Sequence, residues 1–409
     1  MSKLQAPRGT FDVLPDDAAA REAVEREARR VLEAAGYRRV ETPTFEATEL
    51  FARGVGEATD IVRKEMFTFE DQGGRSLTLR PEGTAPVCRA YVEHGMHKHA
   101  QPVRLWYLSS FYRHEAPQAG RYRQFWQVGA EAIGSDDPAV DAETILLLSD
   151  LLDALNTHGI RLRISSLGTP ETRAAYREEL QAFLRAHEER LPREVVERID
   201  LNPLRAFDAA GIEDLMSEAP KLLDRLDEDD AAHFAEVRRL LDGAGVHYDV
   251  DPTLVRGLDY YTRTVFEFES SELGAQSGVG GGGRYDRLVE MIGGPDTPGC
   301  GWAAGVERIL LAADRPPVAP PPVDLYVAFV RPGDRATAFA LAGEARRAGL
   351  GAQLELAGRS LKGQLKTAGR AGARYVAILG DEGIALKDMA SGEQQVVESA
   401  AVMHQIGQG

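Results

Sequence analysis

The sequence predicts an α+β fold: a largely antiparallel sheet flanked by helices, with a helical insertion and a C-terminal α/β domain. Short apolar or alternating runs at residues 77–79, 104–113, 124–133, 161–165 and 261–268 read as strands, several joined by loops too short for crossover helices. Residues 170–249 turn helical, acidic and strand-poor before glycine-rich, strand-like sequence resumes. Past a proline-rich stretch, buried-strand runs at 325–330 and 375–379 alternate with helical patterns.

The elements follow in order. Ala20, Val24, Ala28, Val31 and Ala35 recur at helical spacing, so residues 16–36 read as a helix stopped by Gly36. A strand over 37–42 ends at Pro43. Arg80-Pro81-Glu82-Gly83-Thr84 closes the 77–79 strand and opens an apolar helix through Val87 and Tyr91. The acidic clusters Glu178-Glu179, Glu188-Glu189 and 227–230 mark the insertion. Gly299 to Arg308 reads as a strand-to-helix join, and helices are expected at 334–347 and about 360–371. The expected domains are a core of residues 1–169 and 250–314, an insertion of 170–249, a semi-rigid linker at 315–322 and an α/β domain of 323–409.

With 409 residues and 43% hydrophobic content the chain can bury more than one core. No apolar run approaches the ~20 residues of a membrane span, and residues 1–5 are polar without a secretory h-region. Cys88 and Cys300 make no disulfide framework, which suits a reducing, cytoplasmic setting. The net charge of −16 argues against coating nucleic acid. It is unevenly spread: residues 323–409 hold 10 Lys+Arg against 9 Asp+Glu, the rest 38 against 55.

Chemistry-bearing residues concentrate in Phe111-Tyr112-Arg113-His114-Glu115 and in the strand that follows Arg121-Tyr122-Arg123. Strand alternation puts Phe125, Gln127, Gly129 and Glu131 on one face and Trp126, Val128, Ala130 and Ala132 on the other. A bare Gly129 between polar groups lets a ligand approach the backbone. Arg113, Arg121 and Arg123 around a turn suit a polyphosphate, because guanidinium is always charged and grips oxyanions bidentately. Glu82, at a helix N-terminus, also suits a ligand ammonium. The run Gly278 to Gly283 formally matches G-x-G-x-x-G, but no second strand with an acidic end follows, so the glycines read as mobile or close-packed backbone beside a ligand. No P-loop occurs. His94, His97 and His99 lack the spacing and partners of a zinc site, and no resident metal is expected.

Taken in order, Arg80-Pro-Glu-Gly-Thr84, Phe111-Tyr-Arg-His-Glu115, Gly120-Arg-Tyr-Arg-Gln-Phe125, Leu254-Val-Arg-Gly-Leu-Asp-Tyr-Tyr261, Gly280-Gly-Gly-Gly-Arg-Tyr285 and Gly305-Val-Glu-Arg308 resemble the histidyl-tRNA synthetases, of the class II aminoacyl-tRNA synthetase fold. The resemblance covers nearly the whole chain. It implies that residues 16–43 correspond to motif 1, which builds a homodimer interface, Arg113 to Glu131 to motif 2, and Gly305 to Arg308 to motif 3. Residues 323–409 then correspond to the anticodon-binding domain.

The implied reaction joins L-histidine to ATP as histidyl-adenylate, then passes histidine to the 3′ end of tRNA(His), with Mg²⁺ accompanying the ATP. By matching position, Arg113 and Arg256 hold the α-phosphate, Arg121 and Arg308 the γ-phosphate, Glu115 binds the adenine and Phe125 stacks on it. Arg113, Arg256 and Arg308 are the expected catalytic groups. Glu82, Thr84 and Gln127 bind the ammonium; Glu131, Tyr260, Tyr261 and Tyr285 complete the histidine pocket. Gln118 and Arg123 are expected to face the tRNA. So are Arg359, Lys362, Lys366 and Arg370, a basic stripe in an acid-free stretch. Ala116 departs from the family, where an arginine is frequent, and Trp126 replaces a frequent histidine on the face away from the ligand. The competing reading is a non-catalytic, synthetase-like regulatory subunit of ATP phosphoribosyltransferase, expected to lack the C-terminal domain and some of the arginines.

Overall fold

A computed structural model describes residues 3–56, 59–274, 277–314, 322–380 and 383–408. The linker residues 315–321 lie outside the described residues. The chain divides into two compact units, Met1–Pro316 and Pro317–Gly409.

The first unit is built on an eight-stranded sheet in the order Arg38–Arg39, Val103–Tyr112, Gln124–Ile133, Gly299–Gly305, Gly278–Arg284, Thr262–Ser270, Ile160–Ser166 and Asp249–Val250. Only the two outermost pairings are parallel. The strand expected at 37–42 shrinks to Arg38–Arg39, the two residues that pair with Leu105 and Trp106. The glycine run is a strand near the middle of the sheet, antiparallel to both neighbours, with register shifts between Gly278 and Gly280 and between Gly283 and Arg284 against Thr262–Ser270.

One sheet face presents Trp106, Val128, Ala130, Ala132, Trp302 and Ala304 to helices Pro15–Ala34, Pro138–Ala154, Glu228–Gly243 and Val306–Ala312. Pro15–Ala34 seats Ala20, Val24, Ala28 and Val31 there, the stripe expected from helical spacing. Trp126 packs on this face beneath the Arg21 guanidinium, 4.1 Å from its ring centre. Helix Glu228–Gly243 shares this core through Phe234, Val237 and Leu241. The segment from Pro170 to Leu222 packs instead into the core on the opposite face, with Tyr176, Leu180, Leu204 and Leu215. A separate sheet of Phe45–Ala47, Ser76–Leu79 and Phe67–Glu70 precedes helix Thr84–Glu93.

In the second unit, strands Leu325–Phe329, Ala352–Leu354 and Tyr375–Gly380 are parallel and extended by the antiparallel Gly383–Asp388 and Gln394–Val397. Helix Leu361–Arg370 buries Gln364 and Ala368. Lys362, Lys366 and Arg370 stay exposed on its outer side, with Arg359 just before it.

Candidate active site

Four strands of the large sheet present a hollow on the face opposite the tryptophans. Gly129 pairs with Ala303, Glu131 with Gly301 and Gln127 with Gly305, while Gly281 lies beside Ala303 on the far side. Because alternate side chains share a face, these glycines and alanines leave room for the few large side chains projecting among them. Gly301 makes the requirement concrete: a methyl group there would overlap the Glu131 carboxylate.

The hollow opens into a cleft lined by Arg113, Glu115, Arg121, Phe125, Arg256, Glu267 and Arg308. Arg113 Nε donates to the Pro81 carbonyl at 2.8 Å, which turns its guanidinium over Phe125, 5.4 Å from the ring centre. Arg121 Nη1 donates to Glu115 Oε2 at 3.2 Å, while Arg113 stands 3.8 Å from the same carboxylate. Arg256 pairs with Glu267 at 2.9 Å; burial is the largest influence on it and works against its charge, but Glu267, Tyr261 and Tyr260 together outweigh burial and raise its pKa. Its Nε has no partner among the described residues. Arg308 Nε donates to the Gly278 carbonyl. Burial lowers the Arg308 pKa first, and Arg121 lowers it further. Two guanidiniums facing one another in this way are stabilised by an anion between them.

The same cleft is lined by Glu82, Thr84, Gln127, Tyr260 and Tyr261. The Glu82 carboxylate accepts from the backbone N–H of Thr84 at 2.7 Å and of Ala85 at 3.0 Å, holding the start of helix Thr84–Glu93. Burial raises its pKa, against those two N–H donors. Among the described residues Gln127 Oε1 is buried without a partner, an open acceptor in the cleft wall. Burial pushes the Tyr261 phenol up to about 12, so it remains a donor at neutral pH.

Glu131 and Tyr285 are buried beside the open cleft, Glu131 directly against Thr84, which lines it. Glu131 is fully buried and accepts from Thr84 Oγ1 at 2.8 Å, Tyr285 OH at 2.6 Å and Tyr107 OH at 3.3 Å. Burial raises its carboxyl to about 8 despite these donors. The gap expected at Gly129 is not open to a ligand. The Tyr107 ring occupies it, and a methyl group on Gly129 or Gly83 would overlap that ring. Tyr107 sits directly across the strand pair from Gly129. That register could have flagged it; periodicity along one strand could not.

Gln118, expected to face tRNA, closes a tight turn with Arg121 by mutual backbone hydrogen bonds, at 3.1 and 2.9 Å. Arg123 donates its backbone N–H to Gly9 and its Nε to the Glu115 carbonyl. Neither Gln118 nor Arg123 lines the cleft. The stripe Arg359, Lys362, Lys366 and Arg370 belongs to the second unit. Sequence reasoning missed Tyr107, Glu267 and Glu307; the last joins Arg21 at 2.6 Å to the Trp126 backbone at 3.1 Å.

The family model described as histidyl-tRNA synthetase matches residues 9–309. A curated histidine–tRNA ligase of Halothermothrix orenii is 45% identical over 98% of this chain and 99% of its own length. That of Streptomyces coelicolor is 48% identical over 97% and 96%. Among solved structures, apo S. aureus histidyl-tRNA synthetase aligns with a TM-score of 0.81 at 33% identity, covering 99% of this chain and 100% of that one. A Bacillus halodurans structure described as an ATP phosphoribosyltransferase regulatory subunit/histidyl-tRNA synthetase aligns at 0.67 with 24% identity, a likeness of fold alone. With the class II sheet and the arginine-lined cleft in place, the chain belongs to the histidyl-tRNA synthetase family.

Proposed function

We propose that the cleft activates L-histidine with ATP and that the chain then transfers histidine to the 3′ end of tRNA(His), as a histidine–tRNA ligase. One observation carries this reading: Arg113, Arg121, Arg256 and Arg308 line the same cleft as Glu82, Thr84, Gln127, Tyr260 and Tyr261. The regulatory-subunit alternative is not favoured, since relatives at 45–48% identity over nearly the full length are ligases.

In this reading a histidine carboxylate oxygen attacks the α-phosphorus, the bond to the bridging oxygen breaks, and pyrophosphate leaves with the electron pair. Histidine's carboxylate is already ionised at neutral pH, so the step needs positioning and charge stabilisation rather than a protein nucleophile or base. Arg113 and Arg256 hold the α-phosphate between the two substrates, with Glu267 fixing Arg256. Arg121 and Arg308 take the γ-phosphate, Phe125 stacks on adenine and Glu115 binds its edge. Glu82, Thr84 and Gln127 bind the ammonium, the open Gln127 Oε1 supporting that role. Tyr260, Tyr261, Tyr285 and Glu131 define the imidazole end. A pocket that pairs both ring nitrogens disfavours apolar isosteres by ~10⁴ or more, because they leave buried polar groups unpaired.

Among the described residues no group of three His, Cys, Asp or Glu side chains is arranged to hold a metal ion by itself. The nearby carboxylates of Glu115 and Glu267 are each paired with arginine. Mg²⁺ therefore fits as part of the ATP complex, ligated by phosphate oxygens and water with at most one of these carboxylates, where it would neutralise the leaving pyrophosphate.

The sheet unit is the catalytic core with residues 170–249 inserted, and 323–409 is the anticodon-binding domain. Its exposed stripe Arg359, Lys362, Lys366 and Arg370 contacts tRNA, as do Gln118 and Arg123 near the acceptor end. A cytoplasmic homodimer completes the proposal. Among the described residues no helix is long and apolar enough to cross a membrane. Charging of transcribed tRNA(His) with labelled histidine tests the reading; histidine-dependent pyrophosphate exchange without any charging would defeat the transfer step.

A further inference from the structure

We propose that Tyr107 is a positioning residue for the imidazole end of the cleft: its phenol, wedged in a slot left by Gly83 and Gly129, fixes the Glu131 carboxyl and so sets the affinity for histidine. This rests on the assignment of Glu131 to the imidazole.

Tyr107 is 3% exposed and does not line the cleft, so it acts only through its neighbours. Its slot has backbone walls. Gly83 immediately precedes helix Thr84–Glu93, and Gly129 lies on the facing strand, so neither wall can yield as a flexible side chain would. The ring is further braced edge-on by Phe111, 5.9 Å away, which in turn lies 6.2 Å from Phe125.

From this slot the phenol reaches Glu131 Oε1 at 3.3 Å, the oxygen that Thr84 Oγ1 also approaches at 2.8 Å. Tyr285 holds the other oxygen at 2.6 Å. Three donors on two oxygens fix both the position and the plane of the carboxyl. Two of them, Thr84 and Tyr285, already figure in the histidine pocket; Tyr107 completes the set. Carboxyl orientation governs how well a planar imidazole is met, because hydrogen bonds weaken steeply off axis. Arg113, Arg121 and Arg308 are not in this set, so losing the hydroxyl leaves nucleotide binding untouched.

Tyr107→Phe keeps the ring in its slot and removes only the donor. In histidine-dependent ATP–pyrophosphate exchange by the full chain, its histidine KM should rise about 3- to 10-fold. Its kcat should stay within about two-fold and its ATP KM should not change. In a Glu131→Gln background the same substitution should add less than about two-fold, since its effect passes through that carboxyl. An unchanged histidine KM in Tyr107→Phe overturns the proposal. So does an equal rise with and without Glu131, which would make the hydroxyl merely structural. If Glu131→Gln alone leaves the histidine KM unchanged, the assignment of Glu131 is what fails, and the proposal falls with it.

Discussion

Glu131→Gln should remove a pH dependence built into the fold. An ordinary glutamate titrates near 4.5, whereas burial raises Glu131 in the folded chain to about 8. Between those values the folded state holds a proton that the unfolded state has released, so this carboxyl makes stability fall as pH rises. At roughly 1.4 kcal/mol per pH unit, the two units from pH 5.5 to 7.5 correspond to about 2–3 kcal/mol. Glutamine has no proton to hold, so the variant lacks this slope while keeping every other titration. Its stability relative to the parent should therefore improve by about 2–3 kcal/mol between pH 5.5 and 7.5, whatever the offset at the lower pH. Trp106, Trp126 and Trp302 all lie in the first unit, so tryptophan fluorescence during denaturant unfolding reports on that unit alone. An offset constant to within about 0.5 kcal/mol across the two pH values would refute the reasoning and place an ionised carboxylate behind the cleft.

Arg256→Ala should reduce adenylate formation by ~10³-fold or more, because it removes a fixed cation from the phosphate end. Glu267 would remain paired with Arg163, so unfolding stability should change by only about 1 kcal/mol; near-normal exchange rates would contradict the role given to Arg256. Replacing Arg359, Lys362, Lys366 and Arg370 together by glutamine should weaken tRNA charging while sparing pyrophosphate exchange. It should also flatten the salt dependence of tRNA binding by about 0.7 per contacting charge removed, measured by filter binding across a salt series; equal charging at all salt concentrations would detach the stripe from tRNA.

Alternation along Gln124–Ile133 was enough to group Phe125, Gln127 and Glu131 on one face, since a strand has only two. The packing of Trp126 on the other face follows from the same rule. The glycine run was harder to read, because glycine has little strand preference of its own. Gly278–Arg284 is a strand because its neighbours supply the ladder partners. Its missing side chains make room for Arg256, whose guanidinium lies over Gly281. Gly129 misled for a related reason. A bare position in a strand shows that something approaches, but only the register across strands identifies Tyr107 as the occupant. The short strands Phe45–Ala47 and Phe67–Glu70 carry too few residues to establish a period.

The most direct measurement is ATP–pyrophosphate exchange by the full chain with each of the 20 amino acids in turn. A cleft that gathers a triphosphate with guanidiniums beside a pocket shaped for imidazole predicts exchange with histidine and none above background with the others. Exchange absent with histidine, or matched by another amino acid, would contradict the account.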